Sequence, residues 1–133
     1  MKIEHIAVSS NSEEKADKFF INLLELKKER DFVVPEDLIE QFFNIKKAQR
    51  IIRYENEDLS VEAFITDDKN QALDRFTHTC LIVEDRVRLI ERAKKLNFEV
   101  IQVPRKNSDG FYLFLKDSYG NLFEIKWHKS KIF

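Results

Sequence analysis

The chain has 133 residues, of which 43% are hydrophobic and 35% are charged. This length and composition predict a soluble globular protein, built as one compact domain or as two small fused modules. The 23 basic and 24 acidic residues leave a net charge of −1, without the basic tract that a nucleic-acid partner needs. No apolar run approaches the length of a membrane span, and the first residues lack the apolar segment of a signal peptide. With a single cysteine, Cys80, expected to be a small buried residue, these features predict a cytoplasmic protein.

The first half of the chain, about residues 1–66, has the pattern of a strand, a helix and three further strands. Ser12 has the chemistry of a helix N-cap, and the apolar residues from Ala16 to Leu24 recur at spacings of three and four. Pro35 stops one strand and begins a short helical segment. In chain order the predictions are a strand at 2–8, a helix at 13–24, a strand at 26–34, a short helix at 35–43, and strands at 45–54 and 59–66.

The second half, about residues 75–133, repeats this order after a polar linker at 67–74. Glu84 or Asp85 is expected to start its helix, and Asn97 to end it. The apolar face of that helix is predicted to consist of Val87, Leu89, Ile90, Ala93 and Leu96. The predicted elements are a strand at 76–83, the helix, and strands at 98–103, 110–115 and 122–127. Such a repeat predicts an α+β fold in which two modules pack their sheets around a shared interior.

Histidine and glutamate recur at corresponding places in the two halves. His5 and His78 fall in the first strand of each half, and Glu62 and Glu124 fall in the last strand. Two imidazoles and two carboxylates suit a divalent ion such as Ni, Zn, Co, Mn or Fe(II). The alternative is that these are ordinary hydrogen-bonded residues. Glu55 or Glu57 would replace Glu62 as a ligand if the strand register differs from the predicted one, since a shift of one residue turns every side chain to the other face.

A substrate pocket is expected to draw on aromatic residues and on one cation. Phe64, Phe111 and Trp127 are candidates for its apolar lining, and Arg105, in a polar loop near Gly110, is a candidate clamp for an anionic group. The competing interpretation is that the aromatic residues belong to the core and that Arg105 lies in a solvated loop.

Three segments give the chain a resemblance to a known superfamily. They are the opening I-E-H-I-A-V with the helix end F-F-I-N-L-L-E-L, the central F-T-H-T-C-L-I-V-E-D, and the closing F-L-K-D-S-Y-G-N-L-F-E-I-K-W. Together they resemble the vicinal oxygen chelate superfamily, which includes glyoxalase I, extradiol dioxygenases and the bleomycin and fosfomycin resistance proteins. The resemblance implies two βαβββ modules forming an open, curved mixed barrel with helices outside, in a protein expected to be a homodimer. His5, Glu62, His78 and Glu124 align with the metal-binding positions of glyoxalase I-like members.

The function implied by the resemblance is a glyoxalase-like lyase or isomerase that depends on a divalent metal. A small oxygen-rich carbonyl substrate would chelate the metal, and Glu62 or Glu124 would transfer the proton. Ser118 and Glu25 depart from the Pro and Gly usual in the family, and no set of residues suited to glutathione is evident. Two alternatives stay open: a non-catalytic binding protein of the bleomycin-resistance type, and an Fe(II) extradiol dioxygenase, against which the added carboxylate of Glu62 and the scarcity of His count.

Overall fold

The computed structural model describes residues 3–72, 76–106 and 108–127. The chain divides into two compact units, Met1–Gln71 and Ala72–Phe133. Residues 73–74 of the predicted linker lie outside the described residues. So do positions 1–2 of the predicted first module, which include the start of the strand predicted at 2–8, and positions 75, 107 and 128–133 of the predicted second module. The boundaries expected for the two modules stay a prediction.

The first unit contains a four-stranded mixed sheet in the order β1-β4-β3-β2. Strands β1 and β4 pair in parallel, and the other neighbours are antiparallel. The predicted cap is confirmed, since the Ser12 side chain accepts a hydrogen bond from the Lys15 backbone N–H. The elements are β1 (Ile6–Ser10), α1 (Glu13–Asp17, continued by a π-helical segment at Lys18–Leu23), β2 (Lys27–Val34), α2 (Glu36–Phe43), β3 (Gln49–Glu55) and β4 (Ser60–Ile65).

The second unit repeats this arrangement, with its sheet in the order β5-β8-β7-β6 and with β5 and β8 in parallel. Asp85 caps its helix by accepting a hydrogen bond from the Arg88 N–H. Of the two predicted helix starts, Glu84 and Asp85, the structure has Asp85. The predicted α+β fold of two βαβββ modules is therefore confirmed. Its elements are β5 (His78–Val83), α3 (Arg86–Lys95), β6 (Glu99–Pro104), β7 (Phe111–Lys116) and β8 (Leu122–Trp127).

One face of the first sheet is covered by the first helix. Phe19 and Phe20 are fully buried on that helix, and the Phe20 ring stacks on Tyr54 of β3 with their centroids 5.1 Å apart. The Tyr54 hydroxyl donates a 2.7 Å hydrogen bond to Asp17, which satisfies the one polar atom of that ring. Because side chains alternate along a strand, the residues between the buried ones face the other side of the sheet and are not part of the core beneath the helix.

The second sheet has the same division of faces. Helix α3 contributes Leu89, Ile90 and Ala93 to the core, as predicted. Val87, which was predicted to belong to the same apolar face, is 54% exposed. That prediction was wrong because Arg86, a charged residue, occupies the buried position in the first turn of the helix.

A glutamate stands at a strained corner between the first helix and β2. Glu25 has a φ of +62°, a left-handed conformation in which the Cβ atom of any residue except glycine is crowded. Its backbone N–H closes the helix by bonding to the carbonyl of Ile21. The left-handed conformation of Glu25 lets the chain turn from the end of the first helix into β2.

Replacing Glu25 by Gly should raise the free energy of unfolding by about 1 kcal/mol, because glycine adopts positive φ without the crowding of a Cβ. Glu25→Ala is the matched control, since it removes the carboxylate and keeps the strained φ. Urea unfolding followed by circular dichroism measures both. A Gly variant no more stable than the Ala variant would contradict this account of the corner.

Two cations of the first sheet hold the first helix in place. Arg50 lies 2.8 Å from Glu13 and 2.6 Å from Asp31, and Lys28 lies 2.8 Å from Glu13. The hydrogen bond from Arg50 lowers the pKa of Asp31, and the bonds from Lys28 and then Arg50 lower the pKa of Glu13. Carboxylates with lowered pKa stabilise the fold above the pKa of the unfolded chain, and this contribution is lost as the pH falls.

Arg50→Met should therefore lower the melting temperature most at neutral pH. The difference from the wild type should shrink as the pH falls below about 4, where the unfolded-chain carboxylates take up protons. Arg50→Lys keeps the charge and should show a smaller loss at pH 7. Thermal melts between pH 3 and pH 7 measure this, and a difference that does not change with pH would refute the electrostatic explanation.

Candidate functional site

The parallel pairing of the first and last strands brings a histidine to a glutamate in each unit. Ala7 is the strand partner of Glu62, and Cys80 is the strand partner of Glu124. His78 is the first residue of β5, lies two residues before Cys80, and so shares the face of Glu124. His5 lies two residues before Ala7 but directly precedes β1, so its predicted place in the first strand was wrong, because pairing with β4 begins only at Ile6. His5 Nε2 is 3.4 Å from Glu62 Oε1. His78 Nε2 is 3.3 Å from Glu124 Oε1.

The other ring nitrogen of each histidine contacts a hydrogen-bond acceptor. His5 Nδ1 is 2.6 Å from a carboxylate oxygen of Glu4, and His78 Nδ1 is 2.8 Å from the carbonyl oxygen of Phe76. In the neutral ring each Nδ1 then carries the proton, and Nε2 directs a lone pair at the glutamate. Two acceptors that face each other attract only when a proton or a metal ion lies between them. These donors fit a divalent ion of the kind that binds imidazole and carboxylate.

Arg53 holds the glutamates around the first pair. Its Nη1 donates to Glu62 Oε2 at 3.2 Å, its Nη2 bonds Glu4 at 2.9 Å, and its Nε bonds Glu55 at 3.2 Å. The bonds from Arg53 and then from His5 hold the pKa of Glu4 at about 2, so Glu4 is ionised at neutral pH. The second pair is different, since Glu124 has Lys126 Nζ only at 3.9 Å.

Each pair supplies two donor side chains. Within residues 3–72, 76–106 and 108–127, no group of three or more His, Cys, Asp or Glu side chains is placed to hold a metal ion. The four-residue site of His5, Glu62, His78 and Glu124 that the sequence indicates needs both pairs, and it stays a prediction.

A cavity of about 270 Å³ opens on the face of the first sheet that carries Glu62. Ala7, the strand partner of Glu62, is part of its lining, as is Phe64, two residues further along β4. The described lining residues are Ala7, Val8, Ser9, Ile39, Phe43, Ile45, Gln49, Phe64 and Thr66. A larger depression of about 650 Å³ at the β3–β4 turn is lined mainly by acidic residues, among them Glu57, and does not include His5 or Glu62.

Known structures share this arrangement over almost the whole chain, although no protein-family model matches the sequence and no curated protein matches it either. A glyoxalase family protein from Enterococcus faecalis superposes with a TM-score of 0.70 at 18% identity, covering 93% of this chain and 95% of that one. The fosfomycin resistance protein FosX from Listeria monocytogenes gives 0.69 at 16% identity, covering 98% and 96%. A mutant of that FosX, crystallised with Mn(II) and 1S,2S-dihydroxypropylphosphonic acid, gives 0.68 at 16% identity, covering 94% and 88%.

The chain has the vicinal oxygen chelate fold. No helix among the described residues is long and apolar enough to span a membrane.

The register of this vicinal oxygen chelate fold favours Glu62 over the other two glutamates weighed as partners of His5. Glu55 accepts a 2.7 Å hydrogen bond from the Ser60 hydroxyl and bonds Arg53. Glu57 lies in the turn beyond β3 and lines the acidic depression. Of the three, Glu62 is the residue that contacts His5.

The residues predicted for a substrate pocket are divided between the two units, and the pocket that they would form together stays a prediction. Phe64 lines the cavity beside Glu62. Phe111 and Trp127 instead lie around the Arg86 guanidinium, whose Cζ is 4.1 Å and 5.0 Å from the two ring centroids. Trp127 is three residues from Glu124 on β8, so it points to the opposite face of the sheet. Arg105 lies over the ring of Tyr112, with 4.3 Å between its Cζ and the ring centroid.

Sequence reasoning missed two residues of the first pair's surroundings and misplaced Cys80. Glu4 directly precedes His5, and Arg53 is the strand partner of Glu62, which counting back from the β3–β4 turn would have found. Cys80 was expected to be buried and is exposed, because it lies on the face that carries Glu124 and not on the face beneath α3.

Proposed function

We propose that this chain is an enzyme that uses a divalent metal ion to act on a small, oxygen-rich carbonyl substrate. The ligands would be His5, Glu62, His78 and Glu124, two from each unit, supplied by one chain or by two. The observation that supports this most is the matching pair of Nε2 and carboxylate oxygen in each unit, 3.4 Å and 3.3 Å apart. Among the structural neighbours, a FosX mutant crystallised with Mn(II) and a diol ligand agrees with the proposal.

The donor set suits Mn, Fe(II), Co, Ni or Zn, since imidazole and carboxylate together bind ions of intermediate softness. When bound, the ion would polarise adjacent oxygens of the substrate and stabilise negative charge that develops on them. The backbone carbonyl of Phe76 and the carboxylate of Glu4 fix the tautomer and the orientation of the two imidazoles. A hydrogen-bond acceptor on the second ring nitrogen orients the imidazole and increases the affinity of a metal-binding histidine.

Glu124 is the better placed of the two glutamates to accept a proton from the substrate. Glu62 has Oε2 engaged by Arg53 at 3.2 Å. For Oε2 of Glu124, the cation that lies nearby among the described residues is Lys126, whose Nζ is 3.9 Å away, beyond hydrogen-bond distance. Glu124 would use that oxygen to take the proton from the carbon next to the substrate carbonyl. It would return the proton to the carbon of the former carbonyl group, which is the transfer that a glyoxalase-like isomerase or lyase requires.

Protein purified without chelator should contain about one divalent ion per chain, because four charged or imidazole donors bind such an ion tightly. His78→Ala and Glu62→Gln should lose most of it, with circular dichroism unchanged. Glu57→Gln, a change of the same chemistry outside both pairs, should keep the metal. Elemental analysis measures the content, and normal metal retention in the His78 variant would contradict the assignment.

The second candidate is a binding protein without turnover, of the bleomycin-resistance type. The uncharged cavity beside Glu62 is the observation that favours it, because such a cavity holds an apolar group without needing a metal. Tight small-molecule binding that survives both removal of metal and the His78→Ala change would support this candidate over the enzyme.

A further inference from the structure

We propose that the cavity beside Glu62 receives an apolar tail of the substrate. The substrate class would then be a molecule with adjacent oxygens at one end and an alkyl or aryl group at the other. The position of the oxygen-bearing end rests on the proposed function, whereas the apolar tail rests on the cavity alone.

The strand register connects the cavity to the carboxylate. Glu62 and Phe64 share one face of β4 and are two residues apart, a distance of about 7 Å along a strand. Ala7 is the partner of Glu62, and Ser9 is the partner of Phe64, and both line the cavity. A ligand held by its oxygens near Glu62 therefore has the cavity within the reach of a few carbon atoms.

Helix α2, in the first unit, forms one wall of the cavity beside Glu62. Ile39 is buried on that helix, and the Phe43 ring meets the Phe64 ring edge-on with centroids 5.6 Å apart. Phe43 is nevertheless 52% exposed, and Ile45 is 56% exposed. Among the described residues between β6 and β7 of the second unit there is no helix, so this apolar wall is an addition to the repeated fold. Exposed aromatic surface at the mouth of a cavity is typical of a site that becomes covered on binding.

The lining excludes a charged group. None of the described lining residues carries a charge. The Gln49 amide nitrogen already donates to the carbonyls of Arg50 and Ile65, each at 2.8 Å, and the Thr66 hydroxyl accepts from the Asp68 N–H. A phosphonate or carboxylate placed there would lose its water without gaining a partner cation, which is unfavourable. Alkyl and aryl groups meet no such penalty.

Straight-chain hydroxamates from acetohydroxamate to octanohydroxamate test this, since they combine a head of two adjacent oxygens with a tail of graded length. Calorimetric titration of Mn(II)-loaded protein should show affinity rising about two- to fourfold for each added methylene until the cavity is full. Phe64→Ala and Phe43→Ser should flatten this dependence, so that octanohydroxamate gains little affinity over acetohydroxamate in these variants. Phe42→Ser changes an exposed neighbour that does not line the cavity, so it should keep the dependence.

The outcomes separate this proposal from the proposed function. If the dependence on tail length persists but adding Mn(II) changes nothing, the cavity proposal stands and the metal assignment fails. If octanohydroxamate binds the wild type no more tightly than acetohydroxamate, or does not bind, the cavity proposal is overturned. A flat dependence together with a dimer that Phe43→Ser dissociates in sedimentation would show that a second copy of the chain occupies this surface instead.

Discussion

The register of the parallel strand pairs is the constraint on which the candidate site depends. Val61 and Ala63 stand on either side of Glu62 and are fully buried on the helix-covered face of the sheet. A shift of one residue would bury the glutamate and expose both apolar side chains, so the burial that stabilises the sheet also directs Glu62 toward His5. The buried neighbours of Glu124 impose the same restriction in the second unit. The alternation of side chains along each strand therefore determines both the packing of the core and the position of the glutamate.

The two units repeat the backbone but not the chemistry around each pair. In the first unit Arg53 engages Glu62, and α2 adds an apolar wall next to it. In the second unit a backbone carbonyl orients the imidazole, and within residues 76–106 and 108–127 the cation near Glu124 Oε2 is Lys126, 3.9 Å away and beyond hydrogen-bond distance. Under the proposed function both units would supply ligands to the ion, the first unit would also hold the substrate tail, and Glu124 of the second unit would move the proton.

Much of the fold could be predicted because its signals are local. The caps at Ser12 and Asp85 and the whole of β8, Leu122–Trp127, follow from side chains within a few positions of each boundary. The faces of Phe111 and Trp127 could not be predicted in the same way. Their placement depends on which residues of β7 and β8 contact helix α3. In the first turn of α3 the charged Arg86 is buried against the rings of Phe111 and Trp127, where an apolar residue is expected. The substrate is not encoded in any local pattern.

The number of imidazoles on one bound ion tests the central claim most directly. Electron spin-echo envelope modulation of Mn(II)-loaded protein reports nitrogen nuclei coordinated to the ion. If the two pairs share one ion, the wild type should show two imidazole nitrogens, and the His5→Ala and His78→Ala variants should each show one. A wild-type spectrum with one imidazole, or a spectrum that either substitution leaves unchanged, would show that the two pairs do not share an ion.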